Sequence, residues 1–147
     1  MTVRDLRAGP PRRWNEQVSG IYWLPRLIDK ARASSAGCLG DYLFGQSPMD
    51  RGLLRELGLS HRTFAEIVAS APGDEGVAGA IAQRDPDALA RARAWSARLP
   101  AEHRMFFWFV DVDDGYRGSR WLRPCVNFLA NRIARTAKRL WPWPRTR

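Results

Sequence analysis

Trp23-Leu24-Pro25-Arg26-Leu27-Ile28-Asp29-Lys30-Ala31-Arg32-Ala33 (WLPRLIDKARA) is the stretch that decides the fold. Leu24, Leu27, Ile28 and Ala31 recur at helical intervals, which places them on one face, toward a core. Pro25 suits the first helical position, where its missing N–H removes no bond. Gly37 is a natural stop. The spacing predicts a helix over residues 25–36, with Arg26, Asp29, Lys30 and Ala33 on the other side, read as a charged and solvated face.

The same punctuation repeats downstream. Ser47-Pro48 reads as an N-cap followed by proline and opens a helix carrying Leu53, Leu54 and Leu57, closed by Gly58. Ser60 caps the next helix, with Phe64, Ile67 and Val68 inward. Pro72-Gly73 breaks it, and a weak helix resumes at Asp74 through Val77 and Ile81. Asp85-Pro86 repeats the cap-and-proline signal ahead of an Ala-rich helix, with Leu89, Ala92, Trp95 and Leu99 inward and Pro100 as its end. Residues 101–113 fit either a helix or a buried strand, and the helix is favoured because no partner strand is evident. The fold class expected is all-α: a compact domain of five to seven short helices over residues 18–115. Residues 1–17, with Gly9-Pro10-Pro11 and Arg12-Arg13, read as a flexible, extended arm.

Charge divides the chain at Gly115. Of 24 Lys and Arg, nine lie beyond that point with no acid among them, while the remaining basic residues before it equal the 15 Asp and Glu, so the whole +9 belongs to the C-terminal segment. Within it, Leu122, Val126, Leu129, Ile133, Ala137 and Leu140 form an apolar helical stripe, opposite Arg132, Arg135, Lys138 and Arg139. Trp141 and Trp143 follow at its end. Residues 116–147 are therefore expected to be a cationic amphipathic helical extension. Such a segment suits an anionic membrane surface or nucleic acid. A protein partner also remains open.

The segment from Gly20 to Asp50 resembles an uncharacterised bacterial domain-of-unknown-function family, number five thousand and sixty-nine. The residues that carry the likeness are an aromatic pair leading into Trp23–Ala33, then Gly37 or Gly40, Tyr42 and Pro48-Met49-Asp50. Leu53–Val68 (LLRELGLSHRTFAEIV) and Trp108–Gly115 (WFVDVDDG) extend it. The resemblance implies an architecture and a surface but no reaction.

Little else in the chain carries chemistry. Arg26 and Lys30 lie four residues apart, with Asp29 between them, and with Tyr42 and Asp50 they are expected to border one anion- or ligand-binding pocket. Asp111-x-Asp113-Asp114-Gly115 begins like a calcium loop, but Gly115 occupies the fifth position and Leu122 the twelfth, so it reads as a surface acidic turn, with pairing to arginines of the basic segment as the alternative. His61 and His103 stand in no catalytic spacing and are read as exposed. Cys38 and Cys125 read as reduced thiols. No catalytic residue, metal ligand or cofactor is assigned, and no run is long enough to span a bilayer. The sequence is read as a non-catalytic cytoplasmic protein, peripheral at the inner membrane. RNA or ribosome association, and an enzyme or small-anion binder at the Arg26 and Lys30 face, are the alternatives.

Overall fold

The computed structural model describes residues 3–117. The basic helix expected over residues 120–141, with Arg132, Arg135, Lys138, Arg139, Trp141 and Trp143, lies outside the described residues, as does Cys125. The chain divides into two compact units, Met1–Arg104 and Met105–Arg147.

The first unit opens with an arm that leads into a hairpin, β1 (Gln17–Val18) and β2 (Ile21–Tyr22), paired antiparallel with Val18 opposite Ile21. Ser19 and Gly20 form its turn, both with positive φ, at 49° and 75°. That handedness matches the twist of paired strands. Five helices follow: α1 (Leu24–Ser35), α2 (Pro48–Glu56), α3 (His61–Ser70), α4 (Gly73–Arg84) and α5 (Ala88–Glu102). α1 packs on α3 and β1, β2 and α2 pack on α5, and α4 lies against α3, α5 and β1. The fold is mostly helical with one very small sheet, as the apolar spacing predicts; the hairpin is an addition that the sequence reading lacked.

The caps behave as their chemistry requires. Ser47 accepts from Asp50 N at 3.1 Å and Ser60 from Thr63 N at 3.1 Å, each satisfying an N–H of the first turn. Two proline signals resolve differently. Asp85-Pro86 belongs to a turn, Asp85 accepting from Asp87 N at 3.0 Å, and α5 begins at Ala88. Pro100 sits inside the last turn of α5 rather than ending it. A proline removes only its own N–H, and His103 N still reaches Leu99 O at 2.9 Å.

Ile21, Leu24, Leu27, Ile28, Leu53, Phe64 and Ile81 form the fully buried centre. α5 presents Ala88, Ala92, Ser96 and Leu99 to the interior, while Leu89 and Trp95 are half-buried at its flank. Trp95 lies against α2 at Gly52, where a Cβ would stand 2.5 Å from the indole. α6 (Arg104–Asp113) belongs to the second unit almost entirely; it is a helix, as favoured over the strand.

Gly52→Ala tests that contact. In an open helix alanine is favoured over glycine by about 1 kcal/mol. Here the ring must move, and overpacking of this kind costs about 1–3 kcal/mol. Urea unfolding is expected to show net destabilisation; a more stable variant would show that the ring yields freely.

Candidate functional site: a buried charge cluster around the first helix

The side of α1 read as solvated is enclosed. Arg26 is 5% exposed, Asp29 6%, Lys30 3% and Ala33 0%, so the helix is covered on both sides. The physical reason is that Asp29 and Lys30 meet opposite charges from other segments, and Arg26 meets a backbone carbonyl and two aromatic rings, which lets them leave water. Two stretches supply the cover. The arm brings Leu6 against Ala33 and Cys38, with Leu6 N donating to Cys38 O at 3.0 Å. The loop after α1 brings Tyr42 and Gly45.

Asp50 is the centre of one half of the cluster. It lies in the first turn of α2, fully buried. Lys30 Nζ donates to Oδ1 at 2.5 Å and to Oδ2 at 2.6 Å. Trp23 Nε1 donates to Oδ1 at 2.8 Å and Gly45 N to Oδ2 at 3.0 Å. Both oxygens therefore hold two donors, one charged on each, which is the condition under which a carboxylate tolerates burial.

Trp23 takes its place through an unusual backbone. It precedes α1 with φ of 69°, a left-handed conformation that costs a bulky residue about 1–3 kcal/mol. Its indole is 3% exposed and is tied to Asp50. The guanidinium of Arg26 lies 5.1 Å from the Trp23 ring and 5.6 Å from that of Tyr42, and Lys30 Nζ lies 5.4 Å from the former. These contacts place attractive cation–π pairs around the strained residue.

Asp29 anchors the other half. Arg12 donates to it from its backbone N at 2.9 Å and from Nη2 at 2.8 Å, and Arg4 Nε stands 3.7 Å away. Arg12 also pairs with Asp74 at the start of α4, and Arg32 Nη1 reaches Asp74 at 2.7 Å. Arg26 Nη1 donates to Arg12 O at 3.2 Å. The arm is thereby clipped to α1 and α4 together. Burial opposes ionisation of both Arg12 and Asp74, but their mutual pairing, with Asp29 and Arg32 added, prevails: the Arg12 pKa is raised and that of Asp74 lowered.

Of the residues named from sequence, Arg26 meets Tyr42, and Lys30 meets Asp50, on the same side of α1. Asp29 instead joins Arg12. Sequence reading missed Trp23, Arg12 and Asp74. Trp23 stands two residues before Pro25 in the quoted stretch, and Arg12 in a conspicuous Pro-Pro-Arg-Arg run, but nothing local links Asp74 to either.

The acidic turn also differs from expectation. Asp111 and Asp114 are buried, 2% and 4% exposed, rather than on the surface. Asp111 Oδ2 lies 3.3 Å from Arg117 Nε, and its carbonyl accepts from Tyr116 N and Arg117 N. His61 is exposed and edge-on to Phe44, whereas His103 is half-buried at the end of α5. Among the described residues no three His, Cys, Asp or Glu side chains are grouped as metal ligands would be. Among the same residues no helix is long and apolar enough to cross a membrane.

These features define a small helical domain whose N-terminal arm and first loop enclose the charged side of its first helix. Residues 8–112 match the family model described as domain of unknown function (DUF5069), more than half of the chain, and the chain belongs to that family. No curated protein matches it. The match includes Arg12, the α1 cluster and α6 to Val112, and stops before the basic segment.

Two measurements check this geometry. Asp50→Ala leaves Lys30 buried without its carboxylate, and a loss of about 3–5 kcal/mol is expected in urea unfolding. The double variant Lys30→Met/Asp50→Leu is expected to lose less than the single, because it removes both charges; equal or greater loss would mean that the pair itself is not the determinant. For pH, Asp74 has a folded pKa below its ordinary 3.8, so its stabilisation is present above that value and disappears as pH falls through the lowered one. The stability gap between the wild type and Asp74→Asn is therefore expected to be constant near neutrality and to narrow in acid; a gap independent of pH would contradict the pairing.

Proposed function

We propose that the protein is a non-catalytic binding protein that attaches its helical body to anionic surfaces, in the first place the inner face of a membrane, through the basic C-terminal segment. The observation that carries this reading is the charge division: the nine basic residues beyond Gly115 have no acid among them in sequence, while the body is balanced. A neutral body contributes no long-range attraction of its own, so the segment governs which partner is drawn in. Arg132, Arg135, Lys138 and Arg139 supply contacts to headgroups, and Trp141 and Trp143 suit the interfacial layer. The protein is then cytoplasmic and peripheral.

The same arginines suit RNA or a ribosomal surface, and salt distinguishes the two. Binding to nucleic acid falls log-linearly and steeply with salt, whereas a lipid contact retains an apolar part. A small anion held by Arg26, Asp29, Lys30, Tyr42 and Asp50 is the further alternative, supported by the convergence of Arg26 and Tyr42. Against it stands the mutual engagement of Lys30 and Asp50, which favours a framework role for that cluster.

The test uses the full chain with Arg132, Arg135, Lys138 and Arg139 replaced together by Gln. At about 1 kcal/mol per basic residue near an anionic surface, partition onto vesicles of phosphatidylglycerol and phosphatidylethanolamine is expected to weaken by about a hundredfold or more. Undiminished partition overturns the reading. Wild-type protein that ignores the vesicles but binds RNA with a steep salt dependence selects the alternative.

A further inference from the structure

In the second unit, the described residues hold α6 and the turn through Arg117. Their acids face inward or are half-buried: Asp111 and Asp114 are buried and Asp113 is partly covered. What points outward is of a different kind. Met105 is 74% exposed, Trp108 42% and Tyr116 41%, with Arg104 and Arg117 exposed beside them in sequence. Arg104 and Met105 lie four and three residues before Trp108, so each neighbours it on the helix surface. Trp108 is braced from the side by Phe109, ring centroids 5.1 Å apart. The exposed acid just before the helix, Glu102, lies 3.9 Å from Arg98.

A thioether and an indole exposed on one helix beside a guanidinium, with no fully exposed carboxylate on α6 or its turn, match the chemistry of a bilayer interface. Trp and Tyr favour the headgroup layer, and basic groups favour anionic lipid. Exposed arginine beside withdrawn acids complements the negative charge of an anionic bilayer. We propose that this face of α6 is a lipid-contacting surface: Met105 and Trp108 enter the headgroup–acyl boundary of an anionic bilayer, and Arg104 meets its headgroups. The proposal rests on the membrane reading above and deepens it, since it assigns the apolar share of binding to residues within the family domain rather than to the basic segment alone.

The experiment partitions full-length protein onto vesicles of phosphatidylglycerol and phosphatidylethanolamine at low and at raised salt, where the charge contribution is screened. Met105→Gln/Trp108→Gln is expected to weaken binding at raised salt by about tenfold or more, from the apolar surface no longer buried, with the salt slope unchanged. Met105→Gln alone, at a position almost wholly in solvent, is expected to give part of that loss with an unaltered melting temperature, which separates lipid contact from misfolding. Wild type that binds while both variants bind equally well overturns this proposal and leaves the basic-segment reading standing. Wild type that fails to bind the vesicles overturns both. Variants that keep vesicle binding but lose RNA binding assign the face to nucleic acid and overturn the proposal.

Discussion

A carboxylate with no access to water must be satisfied from within, and Asp50 imposes that condition on three separate segments. Lys30 answers from the middle of α1, Trp23 from its beginning and Gly45 from the loop that joins α1 to α2. Because the acceptor sits in the first turn of α2, satisfying it also fixes how the two helices approach. An ion pair of this sort adds little net stability over a well-packed apolar pair. What it adds is specification: an ammonium, an indole N–H and a backbone N–H must all arrive at the same two oxygens. The left-handed backbone at Trp23 persists for the same reason, since relaxing it would withdraw the indole from Asp50.

The arm extends this logic to the other flank of α1. Asp29 and Asp74 sit on different helices, and Arg12 reaches both, so a segment with no regular structure acts as a clip between two elements that have it. Leu6 continues the cover over Ala33. The family match starts at residue 8 and so takes in the clip, but it ends at residue 112, before the basic segment. The body and the charge asymmetry are thus separable properties of the chain.

Helices were legible wherever local chemistry determined them. Ser47 and Ser60 cap as read, and Leu24, Leu27, Ile28 and Ala31 are all buried. The reading failed where a residue's partner was remote. Nothing near Asp29 announces that Arg12 will neutralise it, so the polar side of α1 was taken for a solvated surface. Asp85-Pro86 was misread because a turn and a helix start use the same residues, and only the geometry of Asp87 and Ala88 separates them. The Ser19-Gly20 turn was available as a hairpin signal, but two-residue strands carry too little alternation to be seen. Arg26, Tyr42, Lys30 and Asp50 were brought to one region by their spacing around α1 and α2; what spacing does not convey is that Lys30 and Asp50 would engage each other.

The clip made by Arg12 also has a place in time. During synthesis Arg12 emerges before its partners, Asp29 following 17 residues later and Asp74 62 residues later. Local contacts such as caps and hairpin turns close as soon as they emerge, but a contact of long sequence separation waits for its second member. The Arg12 contact to Asp74 therefore waits until the start of α4 has been made, whereas that to Asp29 needs only α1. The clip is complete only then, and the Pro-Pro pair at 10–11 suits that wait, being poor material for any competing helix or strand.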